Sequence, residues 1–119
     1  MGDGSLRLEA RAKVWLEVSG EPVLGEGGYQ LLRAVEETGS IMGACKRLNI
    51  SYRKALNYVR KIEARLGRRV LITKRGGRGG GEAKLTEDGK TLLRAFELVK
   101  GAVREALERA SVQLPALSS

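Results

Sequence analysis

The sequence predicts an α+β fold that is mainly α-helical, and three observations along its 119 residues support this prediction. Two helical patterns in residues 40–66 are separated by only two residues. A glycine-rich segment flanked by strand-like residues follows them, and a heptad pattern near the end predicts a long helix. We therefore expect one domain over residues 1–110, in which residues 86–110 form the last helix, and a flexible tail over 111–119.

The N-terminal segment alternates apolar and polar residues over positions 6–18. A period of two over this length predicts a half-buried strand. Residues 19–22 have the composition of a turn, after which Val23 and Leu24 can pair back as a short strand. Trp15 falls on the polar side of the alternation, where it faces a partner subunit, the C-terminal helix or simply solvent.

The first helix is predicted over residues 29–37, after a loop over 25–28, because apolar residues there recur at helical spacing. Its apolar face is expected to cover the inner faces of the next two helices. The residues expected in this shared core are Leu32, Val35, Ala44, Ile50, Ala55 and Val59.

The two closely spaced helices follow Ser40 and Ser51, whose hydroxyl groups can cap them. Only Asn49 and Ile50 lie between the two patterns. Helices joined by so short a link must cross at a steep angle, which is the geometry of a helix-turn-helix.

The second helix of this pair has an apolar side and a cationic side. Its core side is expected to hold Tyr52, Ala55, Val59, Ile62 and Leu66. Two cations stand in its first turn, where the helix dipole disfavours positive charge but duplex phosphates would favour it. Because residues at the start of a recognition helix reach base edges, we predict a DNA-reading helix rather than a solvated basic face. The predicted contacts are Ser51, Tyr52, Arg53, Lys54, Asn57, Arg60 and Lys61.

The net charge of +8 and the sequence pI of about 10.1 favour a polyanionic partner. The excess is concentrated, because residues 46–78 hold twelve Lys or Arg and a single acidic residue, Glu63. A membrane surface would also attract this charge. However, no apolar run approaches the roughly 20 residues of a span, and the basic faces lack aromatic anchors. No signal peptide is visible, and we expect a cytoplasmic, nucleoid-associated protein without a membrane partner.

Cysteine and histidine usage excludes several chemistries. Cys45 is the only cysteine and the chain has no histidine, which argues against a metal site and excludes an intramolecular disulfide. Cys45 is expected to be a small buried hydrophobe rather than a redox sensor. Since no general-acid or nucleophile constellation can be assembled, we expect no enzymatic activity, no catalytic residues and no cofactor.

A β-hairpin is predicted after the recognition helix, with strands over residues 68–75 and 82–85. The six residues between them are five glycines and Arg78. A phosphate cradle would require a Lys-Ser/Thr pair and a helix that starts directly from the glycines, and neither is present in the sequence. The glycines are better explained as the tip of a wing that contacts the DNA backbone or minor groove through Lys74, Arg75 and Arg78. The predicted fold is therefore a winged helix-turn-helix.

The last helix can be capped by Thr86, with Glu87 and Asp88 near its positive end. Its apolar residues recur at alternating steps of four and three over about three heptads. This stripe is longer than a small domain needs for its own core, which predicts a dimer interface. The alternative is that the helix folds back onto the N-terminal strand. The predicted interface residues are Leu92, Phe96, Val99, Val103 and Ala106.

Short motifs spread over residues 14–103 carry a family resemblance. They include Val14-Trp15-Leu16-Glu17, Gly39-Ser40-Ile41, Ser51-Tyr52-Arg53, Arg75-Gly76-Gly77, Gly79-Gly80-Gly81 and Leu85-Thr86. Together they resemble the N-terminal DNA-binding domain of ModE, the molybdate-responsive regulator whose winged helix is related to that of LysR-type regulators. The resemblance implies a homodimer, joined through the long terminal helix, that places two recognition helices on a palindromic operator in double-stranded DNA.

Carried onto this sequence, the resemblance places residues 51–54 and Asn57 in the major groove, Arg60 and Lys61 nearer the backbone, and residues 75–81 at the wing. By their positions on the helix, Arg53 could pair with guanine and Asn57 with adenine.

The chain departs from the family in two respects. It has Leu56 where ModE proteins usually carry Trp, and its 119 residues are not expected to include the oxyanion-binding domain that senses molybdate. No molybdate response is therefore implied for this chain, and a separate effector or sensor protein is a further candidate partner. Two alternatives also stay open: a chromatin or RNA-binding protein that is indifferent to sequence, and a protein with a ligand or catalytic site at the dimer interface or glycine loop.

Overall fold

The computed structural model describes residues 2–75, 81–110 and 112–117, and they form the predicted, mainly helical α+β fold. In chain order the elements are β1 (Leu6–Leu8), β2 (Leu16–Val18), β3 (Glu21–Leu24), α1 (Glu26–Thr38), α2 (Ile41–Leu48), α3 (Tyr52–Leu66), β4 (Leu71–Lys74), β5 (Glu82–Leu85), α4 (Glu87–Arg109) and β6 (Val112–Leu114). Within these residues the strands form three separate antiparallel pairs: β1 with β6, β2 with β3, and β4 with β5.

The helix-turn-helix forms where the sequence predicts it. The Ser40 hydroxyl accepts a hydrogen bond from the Gly43 N–H (2.8 Å), and the Ser51 hydroxyl accepts one from the Lys54 N–H (3.1 Å). Asn49 ends α2 in the left-handed region, with φ 55° and ψ 49°. Asparagine tolerates this conformation better than most residues, so α3 can begin almost directly after α2.

The core lies where α1 packs against α2, α3 and the base of the β4–β5 hairpin. Leu32, Val35, Ala44, Ala55 and Val59 are all buried there, as predicted, and Ile50 packs partly buried against them. Among the described residues no polar or charged side chain is buried, so this core is held together by apolar packing.

Helix α4 is attached to the hairpin through its first turn. The Thr86 hydroxyl accepts a hydrogen bond from the Gly89 N–H (3.0 Å) and donates one to the Arg69 carbonyl (2.7 Å). A Cβ at Gly89 would lie 2.3 Å from the Val70 carbonyl oxygen, so only glycine permits this approach.

The terminal segments differ from prediction. Residues 6–18 form two short strands, β1 and β2, instead of one. Leu6 and Leu8 are exposed, because among the described strands β1 pairs only with β6. Strand β6 itself was predicted to be part of a flexible tail. The pairing of β3 back onto β2 is confirmed. Residues 26–28, predicted as loop, belong to α1, where Gly28 packs close to the Leu24 side chain.

The molecule is elongated, with principal extents of 72 × 34 × 20 Å and a radius of gyration of 19.5 Å. A compact domain of this length would have a radius of gyration of about 13.5 Å. The last buried residue of α4 is Phe96, so the second half of the helix and the β1–β6 ribbon extend beyond the core. In the described part of the chain no helix is long and apolar enough to span a membrane.

Candidate nucleic-acid interface

The outer face of α3 is polar, cationic and exposed. All seven side chains predicted to contact DNA from this helix lie on the surface: Ser51, Tyr52, Arg53, Lys54, Asn57, Arg60 and Lys61. The helical spacing had also placed Tyr52 on the core side, and that placement is wrong. Tyr52 is 47% exposed, because the buried part of α3 begins only at Ala55.

The cations on this face have no ion-pair partner among the described residues, whereas basic residues on either side of α3 do. Flanking arginines are paired: Arg47 with Glu37, and Arg68 with Asp88 at 3.1 Å. The four α3 cations that were predicted to contact DNA make no ion pair with any residue in 2–75, 81–110 and 112–117. They are Arg53, Lys54, Arg60 and Lys61. Their charge is therefore available to an external anion.

Glu63, the one acidic residue in the basic stretch, does not neutralise this face. Its Oε2 accepts hydrogen bonds from the Val70 N–H (2.8 Å) and the Leu71 N–H (3.4 Å), and lies 3.7 Å from the Arg69 guanidinium. The carboxylate thus joins the start of β4 to the last turns of α3. It fixes the hairpin relative to the recognition helix.

The hairpin brings its basic residues to the same side as α3. Lys74 and Arg75 are exposed at its described end, whereas Arg78 lies outside the described residues. A second attachment comes from the Ala83 N–H, which donates to the Gly39 carbonyl at 2.8 Å. Lys74 and Arg75 border a groove together with Lys46 of α2, a cation that the sequence interpretation did not select. Its position on the polar side of α2 was the available signal.

Cys45 has the structural role that was expected for it. It is buried on α2, and burial raises the pKa of its thiol. Among the described residues no group of three or more metal-ligating side chains comes together.

The predicted dimer residues on α4 differ in what covers them within the chain. Phe96 is fully buried and stacks on Tyr29 with ring centroids 4.7 Å apart, so its assignment to a dimer interface is wrong. Leu92 packs partly buried against the core, and Val103 borders a cavity beside residues 12–14, as the fold-back alternative expected. The outward apolar surface of α4 consists of Leu98, Val99, Ala102 and Ala106.

Comparison with known proteins adds a family and several relatives. The family model described as "Bacterial regulatory helix-turn-helix protein, lysR family" matches residues 28–90. The molybdenum-pterin-binding protein MopA of Rhodobacter capsulatus is 33% identical over 96 residues, which cover 81% of this chain and 36% of MopA. The transcriptional regulator ModE of Yersinia pestis is 32% identical over 79 residues, 66% of this chain and 30% of ModE.

A solved structure has a similar fold. The full-length LTTR LysG of Corynebacterium glutamicum with bound effector Arg superposes with a TM-score of 0.54 and 24% identity, over 71% of this chain and 28% of that chain. The chain spans about a third of the length of the curated relatives it matches. The matched residues 28–90 contain most of α1, all of α2 and α3, the hairpin and the first turn of α4.

Proposed function

The chain belongs to the LysR family of bacterial regulatory helix-turn-helix proteins, and from that premise we propose that it is a sequence-specific, double-stranded DNA-binding transcriptional regulator. The predicted resemblance to the ModE DNA-binding domain is confirmed by the relatives that carry that name. The observation that supports the proposal best is the exposed α3 face, whose cations have no carboxylate partner among the described residues, beside a basic hairpin.

Each part of this surface has a separate role in the proposal. Arg53 and Asn57, near the start of α3, read base edges in the major groove, Arg53 with guanine and Asn57 with adenine. Each bidentate pair contributes about 1 to 3 kcal/mol of discrimination. Residues that contact phosphates supply most of the affinity without reading sequence. The proposed phosphate contacts are Arg60, Lys61, Lys74, Arg75 and Arg78.

The regulator acts as a homodimer on a palindromic operator. Two apolar surfaces extend beyond the core: the outward apolar surface of α4 and the β1–β6 ribbon. Their exposure supports the proposal that a second copy of the chain covers them. Leu98 is 75% exposed, and Leu6 on the ribbon is 62% exposed. A two-stranded ribbon is marginally stable alone in water, so cover from a partner would stabilise it. Two recognition helices would then enter major grooves about 34 Å apart.

A DNA partner would place the protein at the nucleoid. A separate effector or sensor protein is retained as a candidate partner.

Selection of bound duplexes from a random pool tests this function directly. We expect the pool to converge on an inverted repeat that the protein binds at least about a thousandfold more tightly than random DNA in moderate salt. Arg53→Ala should reduce this specificity ratio more than it reduces binding to random DNA. A wild-type ratio near one would favour the alternative of a sequence-indifferent chromatin or RNA-binding protein.

A further inference from the structure

A groove lies between the start of α2, the start of α3 and the hairpin, and its described lining mixes cations with apolar side chains. Its volume is about 620 Å³. The cations are Lys46, Lys74 and Arg75, and the apolar contribution comes mainly from Ile41, Met42 and Tyr52. Glu82 is the one carboxylate among the described lining residues, and it stands opposite Lys74 in the hairpin register. The described lining is therefore net positive.

Two of the apolar residues are open to solvent. Met42 is 42% exposed and Tyr52 is 47% exposed, although neighbouring Ile41 is buried. A phosphate is stabilised by charge and hydrogen-bond donors, so it would leave the Met42 thioether and the ring of Tyr52 without a favourable contact, although the Tyr52 hydroxyl can donate to a phosphate. An apolar group on the bound duplex would explain both side chains.

Duplex DNA presents one such group in the major groove, the C5-methyl group of thymine. Tyr52 is the first residue of α3, at the helix end whose residues reach base edges. Met42 is the second residue of α2 and borders the same groove. Both side chains are therefore placed beside the edge that carries the methyl group when α3 enters the major groove.

We propose that Met42 and Tyr52 form an apolar contact for thymine methyl groups and so add a specificity determinant to the hydrogen bonds made by Arg53 and Asn57. This inference rests on the proposed function, because it requires α3 to enter the major groove. The cations around the groove hold the adjacent backbone, and the two apolar side chains distinguish thymine from cytosine and from uracil.

The test removes the methyl group from the DNA rather than from the protein. In the selected duplex each thymine is replaced in turn by deoxyuridine, which pairs identically but lacks the methyl group, and the Kd is measured by titration. We expect binding to weaken about fourfold at one or two thymines per half-site, the loss expected for one methyl group withdrawn from apolar contact. Replacement elsewhere should leave the Kd unchanged.

Protein variants assign the effect to these residues. Met42→Gln keeps the length of the side chain but makes it polar, and should remove the sensitivity to deoxyuridine at one position, whereas Met42→Leu should keep it. Tyr52→Ala should also reduce the sensitivity. Val18→Ala, at an exposed apolar residue of β2 outside the groove, is the matched control and should keep the full effect.

The outcomes separate this inference from the function on which it rests. Equal Kd values for thymine and deoxyuridine at every position, with the preference for the selected duplex intact, would overturn the methyl contact alone. Undiminished sensitivity in both Met42→Gln and Tyr52→Ala would overturn the assignment to these residues. A wild-type protein with no preference for any duplex would overturn the proposed function as well.

Discussion

The sharpest prediction concerns Arg60, an α3 cation with no ion-pair partner in the described part of the chain. If it contacts a phosphate, each Arg60→Ala protomer loses one counterion-releasing contact, and a dimer loses two. Each phosphate contact contributes about 0.9 to the slope of log Kd against log salt concentration, so the loss of two contacts should lower this slope by about 1.8. When salt is raised from about 50 to 200 mM, the factor by which Kd increases should be about twelvefold smaller for the variant than for the wild type.

Arg68→Ala is the matched control, because Arg68 is an exposed arginine already paired with Asp88 at 3.1 Å. Its removal should change the slope by much less. Fluorescence anisotropy on one operator duplex at five salt concentrations measures both variants. Equal slope changes for the two would refute the idea that the unpaired cations form the phosphate-binding surface, and a change of about 0.9 for Arg60→Ala would indicate binding as a monomer.

Three further predictions concern the glycines of α4, the proposed dimer interface and an ion pair between α1 and α4. Gly89→Ala should destabilise the fold by about 1 to 3 kcal/mol, because its Cβ would lie 2.3 Å from the carbonyl oxygen just before β4. Gly101→Ala, where a Cβ meets nothing within 4 Å, should instead stabilise α4 by up to about 1 kcal/mol. Thermal melting measures both variants, and melting temperatures that shift alike would contradict the close packing of Gly89 on Val70. Leu98→Glu should shift the protein towards monomer in sedimentation analysis while its circular dichroism stays unchanged, and an unaltered dimer would remove the α4 stripe from the interface. The Lys100 ammonium donates to the Glu26 carboxylate and lowers its pKa below the ordinary value of 4.5. The stability from this pair is therefore full above that value and is lost as pH falls through the lowered folded-state pKa. The free energy of unfolding of Glu26→Gln, measured between about pH 7 and 3, should therefore fall less with decreasing pH than that of the wild type. An identical pH dependence in the two proteins would contradict a contribution from this pair.

The helix-turn-helix could be predicted because its signals are local. The caps Ser40 and Ser51 lie directly before their helices, and the two-residue link between α2 and α3 leaves few alternative geometries. The cationic face of α3 follows from helical spacing alone. Only Tyr52 was misplaced, because spacing gives an angle around the helix but not how far along the helix the core extends.

The terminal elements could not be predicted in the same way. Pairing of β1 with β6 joins Leu6 to Leu114, and no pattern within either segment identifies a partner so distant in the chain. On α4 the heptad pattern gave the apolar stripe but not that Phe96 would stack on Tyr29 within the same chain, nor that Leu98, outside the stripe, would be 75% exposed. The groove that contains Lys46 and Met42 likewise exists only once α2, α3 and the hairpin have packed together.

The carboxylate of Glu63 has a consequence for the kind of DNA that this protein would prefer. It holds the start of β4 against α3, while Thr86 holds the base of the same hairpin to α4, so the base of the hairpin has little freedom to shift relative to α3. A rigid reader of two adjacent surfaces requires the duplex to adapt its twist and groove width instead. Base steps that deform easily at positions without any side-chain contact would then be favoured through their mechanical properties alone.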